Sequence, residues 1–153
     1  MKVKKISAPI SIDLQLKNVS RRDVAMYDVK QIIVVRKDLN MRKGKMCAQV
    51  AHAAMKWIFD NNESDKLGEL KVKLSEPENT WCTERFAKIV VSCDSEEELR
   101  TLMFKAEMAN IDVYPIIDAG LTEFHGVPTL TCASFGPDFS DALDEITGNL
   151  KLL

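Results

Sequence analysis

The sequence predicts an α/β protein, a single domain with a four-stranded mixed β-sheet flanked by helices on both faces. Three observations carry that prediction. Short β-branched runs alternate with stretches of helical spacing in the order β-α-β-α-β-β-α. The last two strands are separated by a loop alone, which makes the sheet mixed rather than parallel. A chain of 153 residues with a hydrophobic fraction of 46% also suits one core of ordinary size.

Each element has a local reason. Residues 1–28 read as an N-terminal extension. Ile10, Ile12, Leu14 and Leu16 alternate with Ser11, Asp13, Gln15 and Lys17, which suits a strand-like arm; the segment's basic residues suit a solvated tail equally. The domain proper spans 29–153. Gln31-Ile32-Ile33-Val34-Val35-Arg36 is a continuous β-branched run, as expected of a central strand buried on both faces. Lys37 to Gly44 form a polar loop, and a helix follows from about Lys45 to Asp60. Residues 61–84, with Pro77 and Asn79, read as a helix fragment and loops. Ala87 to Cys93 is a second strand. Ser95 and Glu98 form a capping-box pattern ahead of a helix carrying Leu99, Leu102, Met103 and Ala106, with Asn110 as its stop. Val113 to Ile117 is a short strand whose Pro115 argues for the sheet edge. Thr129 to Phe135 is the fourth strand, broken by Gly136-Pro137. A last helix runs from about Ser140 to Thr147 and ends at Gly148 as a C′ residue.

The net charge of −2 hides a split. Residues 1–45 hold 12 basic and 4 acidic side chains, and residues 46–153 hold 9 basic and 19 acidic. A surface that coats polyanions throughout is excluded; a basic site on an acidic body is not. No apolar run approaches the length of a membrane span. The N-terminus has no continuous apolar segment and is a poor secretory signal. Cys47, Cys82, Cys93 and Cys132 are scattered without a CxxC pair, and His52 and His125 are the two histidines. A structural zinc site is therefore not expected, and reduced thiols in a cytoplasmic protein are the simplest reading.

The first helix is the most informative element. From position 45 to 58 its strongly polar residues are Lys45, Gln49, His52 and Lys56, spaced to fall within a stripe about 60° wide. No acid lies in the stripe. The rest of the helix is apolar or small, which predicts packing around most of its circumference. A solvated edge with a satisfied histidine would explain the stripe alone. The basic loop before it (Arg36, Lys37, Arg42 and Lys43, offset by Asp38) favours a site instead. That loop leaves a strand and enters a helix N-terminus, where an anionic group meets free N–H groups and a positive dipole end. A second candidate is Asp118-Ala119-Gly120-Leu121-Thr122. It suits a turn, and it also places a carboxylate at a strand end, where a general base would sit. Thr129 would add a hydroxyl nearby, and His125 lies in the connecting loop.

These residues resemble a known signature. Met41-Arg42-Lys43-Gly44-Lys45 with Ala48-Gln49-Val50-Ala51-His52-Ala53-Ala54 is similar to the first motif of the type 2 peptidyl-tRNA hydrolases. Asp118-Ala119-Gly120 with Thr122 resembles their second motif, and Phe135-Gly136-Pro137 and the ending Ile146-Thr147-Gly148-Asn149-Leu150 resemble their C-terminal pattern. The resemblance covers about residues 30–153. It implies hydrolysis of the ester joining peptide to tRNA, no obligatory cofactor, peptidyl-tRNA as partner and frequent homodimers. Carried over by position, it implies Lys45, Gln49, Asp118 and Thr129 as catalytic residues, with His52 and Thr122 supporting them. Phosphates of tRNA are then expected on Lys37, Arg42, Lys43 and Lys56. The chain departs from the family pattern at Arg42, usually Gly, and at Ile117 and Leu121, often Arg. Val127 stands where a hydroxyl residue is common, and the loop before Thr129 is one residue shorter. The alternatives are a non-catalytic tRNA- or RNA-binding homologue and a protein-interaction module on the same fold.

Overall fold

The structure, a computed structural model, describes residues 28–61, 68 and 70–153. The alternating segment 10–17 lies outside the described residues. Strand β1 (Val29–Arg36) leads through a 3₁₀ turn to helix α1 (Lys43–Asp60). Then follow α2 (Glu76–Thr80), β2 (Lys88–Cys93), α3 (Glu96–Met108), β3 (Val113–Asp118), β4 (Thr129–Phe139), α4 (Ser140–Thr147) and β5 (Lys151–Leu152). The sheet order is β3-β4-β1-β2-β5. The β1–β2 pair is parallel and the other pairs are antiparallel, so the sheet is mixed.

As predicted, β1 is central and buried on both faces. Ile32 and Val34 pack on one side with Leu99 and Leu102 of α3 and Leu143 of α4. Ile33 and Val35 pack on the other side with Ala53 of α1, and Val29 joins Trp57 and Trp81. Pro115 does lie on an edge strand, β3. The two tryptophans meet edge to face at 5.9 Å and pin the segment after α1 to that helix. That segment contains a capping box at Ser75 and Glu78 that the sequence reading passed over.

Four expectations need correction. The sheet has five strands, because Leu152 and Lys151 pair with Val91 and Ser92; two residues are too few to show a period-two pattern. Gly136-Pro137 does not end β4. Ile32 pairs with Phe135 and Lys30 with Asp138, so β4 takes three steps against two on β1. The extra residue is a bulge, which accommodates Gly136 at φ 72° and a proline that lacks the ladder N–H. Gly148 is right-handed at φ −66° rather than a left-handed C′ residue, and its N–H closes α4 on the Asp144 carbonyl at 2.9 Å. Finally, α1 is not packed around most of its circumference. Gln49, Ala53 and Trp57 form its buried line, while Ala48, Ala51, Met55 and Phe59 face solvent.

Candidate active site

Two elements build the site. Strand β3 alternates, so Ile116 and Asp118 point to the same face of the sheet, toward α1. Helix α1 crosses that face and brings Lys45 and Gln49, four residues apart, over the strand end. Three donors converge on one carboxylate. Lys45 Nζ donates to Asp118 Oδ1 at 2.5 Å and Gln49 Nε2 donates to the same oxygen at 3.1 Å. The Gly120 N–H donates to Asp118 Oδ2 at 2.9 Å. The turn reading of Asp118-Ala119-Gly120 holds, and the turn's own hydrogen bond orients the carboxylate.

The Lys45 hydrogen bond, foremost, holds the Asp118 carboxyl below its ordinary pKa, with Gly120 and Gln49 adding to it against burial. Lys45 Nζ also donates to Thr122 Oγ1 at 3.2 Å and lies 5.6 Å from the Phe124 ring centre. Gln49 is 3% exposed, so its amide needs fixed partners. The Thr131 hydroxyl supplies one, donating to Gln49 Oε1 at 2.8 Å. This fixes which end of the amide faces Asp118. Thr131 escaped the sequence reading. Its signal was a hydroxyl in the otherwise apolar run Leu130-Thr131-Cys132-Ala133. Beside it, burial pushes the Cys132 thiol up to about 12, so that sulfur stays protonated and is no nucleophile.

The remaining predicted residues scatter around this centre. Thr129 sits opposite Asp118 in the β3–β4 register, with its hydroxyl donating to the Val127 carbonyl at 2.9 Å. His52 is exposed one turn beyond Gln49, beside Lys56, and Lys56 donates to Asp60 at 3.0 Å. Lys37 and Lys43 are exposed; Arg42 lines a cleft of about 360 Å³ with Gly44, Lys45, Thr122 and Glu123, and donates to Glu123 at 2.6 Å. Arg36 does not belong to the basic surface. It is buried, donating to Asp38 at 2.6 Å, to Glu96 at 2.8 Å and to the Leu130 carbonyl at 3.0 Å, and it ties β1 to α3 and β4. Asp38, spent on Arg36, leaves Lys37 and Lys43 unopposed within the loop. Ile117 and Leu121, at the two departures from arginine, are 64% and 87% exposed, so neither is held by core packing.

Fold and site together define a class: a one-domain α/β protein whose crossover helix and edge strand face each other across a lysine–amide–carboxylate cleft. The chain belongs to the peptidyl-tRNA hydrolase PTH2 family, whose model matches residues 29–153. It is 40% identical over 132 residues to a peptidyl-tRNA hydrolase of Thermococcus onnurineus, covering 84% of this chain and 100% of that one. It is 38% identical over 125 residues to the Methanothermobacter thermautotrophicus peptidyl-tRNA hydrolase, covering 82% and 100%. A Saccharolobus islandicus peptidyl-tRNA hydrolase is 41% identical over 125 residues, covering 82% and 99%.

Proposed function

We propose that this chain hydrolyses the ester between a peptide and the 3′ ribose of tRNA, releasing tRNA and a peptide acid. The observation that carries the reading is the convergence of Lys45, Gln49 and the Gly120 amide on Asp118 beside an open cleft. The match to the PTH2 family over residues 29–153 supports it.

In the reaction, a water oxygen bonds to the ester carbonyl carbon and the bond from that carbon to the 3′ oxygen breaks. The leaving oxygen takes up the proton that the attacking water loses and departs as a ribose hydroxyl, while the peptide keeps the water oxygen in its new carboxyl group. Asp118, kept ionised, accepts a hydrogen bond from the attacking water and orients it. Its lowered basicity suits orientation better than full proton abstraction. Lys45 offers its charge to the developing oxyanion, and Gln49 holds the carboxylate at a fixed angle. Thr129, opposite Asp118, is placed to hold the water or the carbonyl, and Thr122 steadies Lys45. His52, an exposed imidazole one turn beyond Gln49, is the alternative base. Lys37, Arg42 and Lys43 supply phosphate contacts; Lys56, also expected on phosphate, is instead paired with Asp60. The same reading includes a cytoplasmic protein and a homodimer; among the described residues no helix is long and apolar enough to cross a membrane.

The test is turnover of an N-blocked aminoacyl-tRNA. Lys45→Ala and Asp118→Asn are expected to lose at least about 10²-fold in kcat, the scale of losing one transition-state electrostatic partner. His52→Ala is expected to stay near wild type. Full activity in Asp118→Asn would overturn the water-orienting role, and binding without turnover by wild type would select a non-catalytic tRNA binder.

A further inference from the structure

Beyond Gln49 a second groove, of about 320 Å³, lies along α1, and its chemistry differs from that of the cleft. It is lined by Ala51, His52, Met55, Lys56, Phe59 and, across from the helix, Ile116. Met55 is 51% exposed and Phe59 57%, large apolar side chains left in water on a helix whose buried line lies elsewhere. Both walls of the groove neighbour the site. On β3, Ile116 is the same-face neighbour of Asp118. On α1, His52 and Lys56 extend the Lys45–Gln49 stripe.

The two ends of the site differ in character. At the N-terminal end of α1 stand the exposed Lys37 and Lys43, Arg42 paired with Glu123 at 2.6 Å, and a helix terminus that favours anions. At the C-terminal end lie Met55 and Phe59, with the Lys56 charge taken by Asp60 at 2.9 Å. A substrate that joins a polyanion to a peptide through one ester has the same polarity. We infer that it binds in one direction, with the tRNA acceptor end on the cations and apolar side chains of the peptide in the Met55–Phe59 groove. This rests on the reading of the chain as a peptidyl-tRNA hydrolase.

The spacing says which side chains. Met55 and Phe59 lie 6 and 10 residues beyond Gln49 on α1, about 9 and 15 Å at a rise of 1.5 Å per residue. An extended peptide covers roughly 3.3 Å per residue. The groove therefore receives the side chains about three to five residues from the ester, and the residue at the ester itself stays near Asp118.

The experiment compares three esters of one tRNA: N-acetylglycyl, an N-acetylated pentapeptidyl chain with leucines at the third to fifth residues from the ester, and the same chain with serines there. The N-acetylglycyl rate is the internal reference. For wild type, the leucine chain is expected to exceed the serine chain about tenfold in kcat/KM, mostly through KM, as follows from partly burying two large apolar side chains. In Met55→Ser and Phe59→Ser, both altered at exposed positions, that ratio is expected to fall toward one. The inference is overturned if wild type shows no such ratio, or if both variants keep it. Equal losses on all three esters keep the ratio, and would place the tRNA or a second copy of the chain in the groove instead. Should wild type cleave none of the esters, the hydrolase reading fails by itself. The ratio is then measured in Kd for the same three esters, with the same two outcomes.

Discussion

At the residue scale, the proposed chemistry rests on how one carboxylate is held. Lys45 keeps the Asp118 carboxyl below its ordinary range, so the folded state prefers it ionised. The sign follows from linkage. The stabilisation is present above the unfolded value of about 3.9 and is lost as pH falls through the lower folded value. Activity is therefore expected to show no limb from Asp118 between pH 5 and 8. A large loss of kcat in His52→Ala would move the base to the imidazole. Thr131 offers a separate test. Thr131→Val keeps the shape of the side chain but leaves the buried Gln49 oxygen without its donor. That unsatisfied group costs about 1–3 kcal/mol. A lower Tm together with a reduced kcat is expected; a reduced Tm with unchanged kcat would make Thr131 structural alone.

At the element scale, caps and turns were more legible than tertiary roles. Ser95 caps α3 as read, accepting from the Glu98 N–H at 3.1 Å, although the Glu98 carboxylate turns to the Asp94 N–H at 2.8 Å instead of completing the box. Asn110 stops the helix in the left-handed region at φ 56°, while Ile111 and Asn110 donate back to the carbonyls of Ala106 and Glu107. Asn110→Gly is accordingly expected to leave stability within about 0.5 kcal/mol, whereas Asn110→Val is expected to cost roughly 1–2 kcal/mol in denaturant unfolding. The basic loop was legible only in part. Its composition showed four cations, but not that Arg36 turns inward to join three elements. The polar stripe of α1 was legible as a spacing, yet its outer face was misjudged. Periodicity finds which residues share a side; it does not say how much of the helix the sheet covers.

For the whole molecule, the small net charge of −2 is a polarity rather than a balance. The motif loop and the first turn of α1 carry Lys37, Arg42, Lys43 and Lys45, whereas α4 carries Asp141, Asp144 and Glu145. With Ile117 and Leu121 in place of cations, the proposed function puts phosphate contact mainly on the loop side of the cleft. KM for an aminoacyl-tRNA is therefore expected to rise steeply with salt while kcat changes little. Lys37→Glu with Lys43→Glu should flatten that salt dependence. A KM insensitive to salt in wild type would contradict the orientation.

The sequence by itself determined the α/β class, the central strand and the edge position marked by Pro115, and it singled out Lys45, Gln49 and Asp118 as candidates. These follow from local physics: β-branched runs, a proline that cannot donate to a ladder, and a helical spacing that aligns polar residues. Tertiary structure alone decided that Lys45 and Asp118, 73 residues apart, share a proton-bearing contact. It decided too that Thr131 sets the amide of Gln49, that Arg36 is structural, and that the helix carrying the stripe leaves Met55 and Phe59 in an open groove. Those outcomes depend on which elements the sheet order β3-β4-β1-β2-β5 makes neighbours, and distance along the chain carries no record of that.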